Sequence, residues 1–163
     1  IVAVTGVPRP ATWLTASGYL PFAAATLAIW LLPLEWRDLA QIAALGYGAV
    51  ILSFLGGILW GLAIAEPSSA AADTGRRRGL WLCISVVPSL IGWVAIIIAG
   101  SAGLWLLTLA VAAMPAVDLA ARRSQLAPSW YLRLRLPVSV AVTLTLGLAA
   151  IGSGLDPSPI PSK

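Results

Sequence analysis

Apolar residues run along this chain in five long stretches, and polar or Pro/Gly-rich residues are gathered in the breaks between them. The stretches cover about 13–32, 40–64, 80–98, 104–120 and 136–151. Each is continuously apolar, without the alternation of a membrane strand, and close to the about 20 residues with which a helix crosses a hydrocarbon core of about 30 Å. The pattern predicts an all-α integral membrane protein, a compact bundle of five transmembrane helices forming a single membrane domain over 1–163. Composition strengthens the reading, since 60% of residues are hydrophobic and 10% are charged, whereas soluble domains carry about 25% charged residues.

Within the second stretch, from Leu45 to Ile64, small residues recur at every fourth position: Ala49, Ser53, Gly57 and Gly61. Positions four apart form a slanted ridge on a helix, and small residues along it let a second backbone come close. This ridge is expected to be a helix-packing surface, either at the centre of the bundle or against a partner protein. A second row of small and hydroxyl residues, Ser139, Thr143 and Gly147, lies on the fifth stretch. Pro21, Pro88 and Pro115 interrupt the first, third and fourth, where kinks are expected. Pro137 is expected in the first turn of the fifth. Hydroxyls such as those of Tyr47, Ser85, Thr108 and Thr145 are expected to bond helix backbones, including carbonyls that the prolines release.

The breaks have their own character. Pro33 to Leu39 reads as a tight polar connection, residues 65–79 as a mobile inner loop, and Gly100 to Gly103 as the turn of a helical hairpin. The sequence opens on Ile1 rather than methionine, so residues upstream of it are expected to have been removed, omitted or disordered. Of the ten Lys and Arg residues, Arg9, Arg76, Arg77, Arg78, Arg122, Arg123, Arg133 and Arg135 fall on one side of the predicted topology, against Arg37 and Lys163 on the other. By the positive-inside rule the amino terminus lies inside and the carboxyl terminus outside.

Candidate chemistry is sparse. The chain has one cysteine, Cys83, and no histidine, which removes the usual ligands for a metal or haem and the usual base for a serine nucleophile. The chain is therefore read as non-enzymatic, with no cofactor ligated by histidine, although a bound lipid or quinone is compatible with it. Asp118 is the acidic residue nearest a span centre, and Arg122, four residues on, is expected to form an ion pair with it. Arg76 to Arg78, with Arg122, Arg123, Arg133 and Arg135, are expected at the membrane surface against anionic lipid head groups. Nucleic acid is not an expected partner.

Tyr47 to Ile64, YGAVILSFLGGILWGLAI, with GYLPF at Gly18 to Phe22 and WYLRLRL at Trp130 to Leu136, resembles the family called domain of unknown function 3429. That family includes the mitochondrial transmembrane protein 69 and many bacterial inner-membrane proteins. Leu59 departs from it, standing where a polar or basic residue, often histidine, is expected. The resemblance implies a multi-pass protein of the bacterial inner membrane and a link to energy-transducing membranes. The expected role is an accessory, stabilising or assembly subunit beside a larger respiratory or photosynthetic complex. The alternative is a small homo-oligomeric carrier or channel for a polar solute or lipid.

Overall fold

The computed structural model describes residues 9–65, 72–127 and 130–155. Residues 66–71 of the expected loop and the tail beyond 155 lie outside the described residues. Among the described residues five helices follow one another: α1 (Arg9–Leu31), α2 (Leu34–Ala65), α3 (Ala72–Ile98), α4 (Gly100–Arg123) and α5 (Tyr131–Gly154). All five are long and apolar enough to cross a membrane, so the protein is an all-helical, multi-pass membrane protein.

The helices reach further than the apolar runs, because polar residues at a membrane helix end still form helical turns. Glu35, Arg37 and Asp38 lie on the opening turns of α2 rather than in a connection, and the Arg37 Nε donates to the Leu32 carbonyl at 2.9 Å. Arg76 to Arg78 lie on α3 rather than in a loop. Gly100 to Gly103 form the first turn of α4, and Ala99 alone separates α3 from α4. The reversal is achieved by left-handed backbone at Ala99 (φ 55°) and Gly100 (φ 60°), a region that glycine enters without a Cβ penalty. Pro137 sits beyond the first turn of α5, which begins at Tyr131.

Helix α2 is the hub, packed against α1, α3, α4 and α5, while α1 closes the ring by packing on α5. Its buried side carries Ala44, Leu45, Gly48, Ala49, Leu52, Leu55, Gly56, Leu59 and Ala63. The tightest approach is to α3, where a Cβ added at Gly56 would collide with the Ser85 carbonyl oxygen. One at Gly92 would lie 3.1 Å from the Ala49 Cα. Gly48 receives the Leu107 side chain of α4, whose Cδ1 lies 2.8 Å from the place of a Cβ. In lipid, where burying apolar surface between helices gains little over facing acyl chains, such close contact is what holds helices together.

The four-residue row is corrected here. Each step of four residues advances about 40° around a helix of 3.6 residues per turn, so a long row winds away from the face on which it starts. Ala49 is buried, Ser53 half-buried, and Gly57 and Gly61 are exposed with no atom within 4 Å of an added Cβ. They do not pack at the bundle centre. Neighbouring Gly56 does, on a face turned about 100° from Gly57.

Polar clasps join α1 to α5. The Tyr19 and Thr145 hydroxyls share a hydrogen bond of 2.8 Å, the Thr26 hydroxyl donates to the Thr145 carbonyl at 3.2 Å, and the Trp30 indole donates to the Leu148 carbonyl at 3.0 Å. Tyr47 on α2 donates to the Gly18 carbonyl at 2.8 Å, one residue from the Ser17 carbonyl that Pro21 deprives of its amide partner. Trp81 is buried in the core.

Replacing Gly56 by leucine is expected to lower stability by about 3 kcal/mol or more, because side-chain atoms would have to displace the α3 backbone. Gly57→Leu, one residue away, is expected to stay within about 0.5 kcal/mol of the parent. Thermal unfolding of both variants in the same detergent checks the pair, and equal losses would refute the assigned helix face.

Candidate functional site

The helix ends rich in arginine come together at one end of the bundle. There the Arg77 guanidinium of α3 donates to the Ser124 carbonyl beyond α4, and the starts of α1 and α5 meet the last turns of α2 around a cleft. The most concentrated polar chemistry lies between α4 and α5 at this end. Asp118 is fully buried, and the Arg135 Nε donates to its Oδ2 at 3.3 Å.

Helical geometry explains both positions. Along α4 the buried stripe runs Val111, Met114, Asp118, Ala121, alternating three- and four-residue steps as the core face of a helix does. Along α5 it runs Tyr131, Arg135, Ser139, Val142, Leu146, Ala149. Asp118 and Arg135 each occupy a core position on facing helices. Their charges meet where an isolated one would be costly. Arg122, by contrast, is exposed, so the expected Asp118–Arg122 pair gives way to Asp118–Arg135.

Tyr131 lies a turn before Arg135, with the guanidinium carbon 6.0 Å from its ring centroid, at the outer limit of a cation–π contact. The Trp130 and Tyr131 rings meet edge to face with centroids 6.3 Å apart. Among the described residues, four buried atoms of this neighbourhood have no hydrogen-bond partner: Asp118 Oδ1, Arg135 Nη2, the Tyr131 hydroxyl and the Ser139 hydroxyl.

The cleft beside this cluster has a volume of about 640 Å³, within the range of about 300–1,000 Å³ for small-molecule sites. Its walls are Leu14, Thr15, Gly18 and Phe22 of α1, Ile51, Phe54, Leu55, Ile58 and Leu62 of α2, and Tyr131, Leu134, Arg135, Val138 and Val142 of α5. Apolar side chains dominate, and Arg135 is the charged group among them.

The other expected surface residues divide. Arg76, Arg122, Arg123 and Arg133 are exposed, and Arg77 and Arg78 are half-buried. Arg135 is 8% exposed, so its place is inside the bundle and not on the membrane surface. Of the second row, Ser139 is buried, Thr143 half-buried, and a Cβ on Gly147 would rest 3.7 Å from Thr108 of α4. Gly147 therefore lies at the α4–α5 seam. Sequence reasoning missed the pairing with Arg135 because it considered only neighbours on one helix. The signal lay in the spacing of Tyr131, Arg135 and Ser139, which sets an arginine on an otherwise buried stripe.

The family model described as a protein of unknown function (DUF3429) matches residues 7–151. The chain is similar to transmembrane protein 69 of Xenopus tropicalis, 36% identical over 141 residues that make up 83% of this chain and 51% of that protein. It is also similar to transmembrane protein 69 of Mus musculus, 30% identical over 129 residues, 79% of this chain and 50% of that one. The chain thus spans about half the length of these relatives. No solved structure matches it.

Replacing Arg135 by methionine strands the Asp118 carboxylate in the core and is expected to cost about 3–5 kcal/mol. Adding Asp118→Leu to Arg135→Met should restore most of that loss. Denaturant unfolding of the two single variants and the double variant measures the coupling, and a double variant showing the summed losses would contradict it.

Proposed function

The chain belongs to the DUF3429 family of proteins of unknown function, and we propose that it is a non-catalytic accessory or assembly subunit. In this reading it packs beside a larger respiratory or photosynthetic complex in a bacterial inner membrane. The observation that carries the proposal is the outward face of α2. Gly57 and Gly61 stand there one turn apart with open space around them, flanked by exposed Phe54, Trp60 and Ile64. Two such glycines leave a shallow depression between large apolar side chains, into which a helix of a neighbouring subunit fits at close range.

The interior supports this role over that of a carrier. Leu52, Leu59, Leu104, Leu107, Val111 and Leu146 fill the middle of the bundle at 2% exposure or less, as suits a bracing element. The energy-transducing membrane is suggested by the mitochondrial members of the family. The excess of arginine at the end formed by the α3 and α5 starts supports placing that end inside.

The test is to extract the native membrane in mild detergent, recover the tagged chain and identify the subunits that accompany it. Stoichiometric recovery of other membrane subunits is expected, reduced about tenfold or more by the double replacement Gly57→Leu and Gly61→Leu while the chain's own thermal stability holds. Recovery of this chain alone, as a discrete oligomer, would overturn the reading in favour of transport.

A further inference from the structure

Helix α4 ends in a closed cap. The Ser124, Gln125 and Leu126 amides donate to the Ala120, Arg122 and Ala121 carbonyls at 3.0, 2.9 and 2.9 Å, and the Arg77 guanidinium of α3 donates to the Ser124 carbonyl. The crossed bonds around a left-handed residue make a Schellman cap. Four carbonyls at the end of α4 are thereby occupied, and it is unoccupied carbonyls that give such an end its negative charge. An anion beside this end meets correspondingly less repulsion. Gln125 holds the left-handed position, with φ 60°, where the motif ordinarily carries glycine or asparagine. A Cβ there has a steric cost that glycine would avoid.

The cap borders a second pocket, of about 390 Å³, lined by Leu119, Arg122, Arg123, Gln125 and Ala127. Its polar groups are accessible, since Arg122, Arg123 and Gln125 are all exposed. Neither arginine has an ion-pair partner among the described residues, and Asp118, one turn before Arg122, is buried and engaged by Arg135 of α5. Two unneutralised guanidinium groups on one pocket are the donors that phosphate oxygens accept from. Among the described lining residues none is acidic, so nothing there receives an ammonium group. Leu119 decides between a soluble and a lipid phosphate. It is exposed, three and four residues before the arginines and one turn deeper in the span, so it lies below them on the same side of α4.

We infer that this pocket binds the head group of an anionic phospholipid, with Arg122 and Arg123 donating to its phosphate and the Gln125 carboxamide to the same head group. Leu119 meets the start of an acyl chain. The site is separate from the outward glycine face of α2 and is built from this chain alone, so it stands or falls independently of the accessory role.

The full chain is reconstituted in vesicles of equal phosphatidylglycerol and phosphatidylethanolamine with matched acyl chains, withdrawn in mild detergent and weighed by native mass spectrometry. Phosphatidylglycerol is expected to be retained about tenfold over phosphatidylethanolamine. The double replacement Arg122→Gln and Arg123→Gln should bring that preference to about twofold or less. Arg76→Gln with Arg133→Gln makes the same change of charge at exposed positions of the same end, and should leave the preference within about twofold of the unaltered chain. Gln125→Gly relieves the left-handed position, so it should raise the unfolding temperature while lowering the preference about threefold. Equal retention of the two lipids by the unaltered chain, equal losses in the two arginine pairs, or displacement of phosphatidylglycerol by millimolar inorganic phosphate would overturn the proposal. So would an unchanged preference in either variant of the pocket; loss of an accompanying subunit from Arg122→Gln with Arg123→Gln in the native membrane would then assign the pocket to a protein.

Discussion

The crossing of α2 and α3 constrains everything else in this bundle. Gly56 brings the α2 backbone against the Ser85 carbonyl, and Gly92 brings the α3 backbone against Ala49. Two helices held that closely leave little freedom for the others. Helix α4, joined to α3 through Ala99 alone, has to fold back immediately, and Gly103 meets the Ala95 carbonyl as it does so. Leu107 then reaches the Gly48 notch on α2. Only the α1–α5 side remains to be closed. There the Tyr19, Thr26 and Trp30 hydrogen bonds join the close contact of Gly152 with Ile29 and Trp30, with each interhelical bond contributing about 0.6 kcal/mol.

That division of labour locates the cleft. Where glycines set the spacing, at α2–α3 and α3–α4, the backbones are too close for any third body. Between α1, α2 and α5 the cleft is walled by Phe22, Leu55, Leu134 and Val138, larger side chains than the glycines of the α2–α3 and α3–α4 contacts. A gap at this position is a consequence of the packing chemistry. Its polar boundary follows from the Asp118–Arg135 pair, which ties α5 to α4 on the side away from α1. A buried ion pair of this kind adds little net stability, since desolvation offsets most of the attraction. What it contributes is register: one relative height of α4 and α5 lets the two charges meet.

The fold was legible in the sequence because hydrophobic length is a strong signal in lipid. Continuous runs between charged breaks revealed five helices, and the family resemblance rested on motifs spread over three of them. Helix ends were legible only in part. Residues such as Arg37 and Arg76 are polar and helical at once, and hydropathy records only the first property. The site was largely hidden for a different reason. Asp118 was visible as an anomaly, but its partner lies 17 residues away on another helix, and spacing along one helix cannot find it. The fate of Arg135 shows the same limit, since a count of positive charges treats a core arginine and a surface arginine alike.

The glycines of α2 make the argument most sharply. Gly56 and Gly57 are adjacent and chemically identical, yet one touches the backbone of α3 and the other faces outward. Composition and motif spacing cannot separate them. The periodicity of the large residues can. Leu45, Leu52, Leu55 and Leu59 are buried, and continuing their steps of three, four and seven residues leads to Gly56 and Ala63, on the face opposite Gly61. A four-residue repeat of small residues fixes only a helical ridge. The surrounding leucines decide which part of that ridge the bundle uses and which part it leaves facing outward.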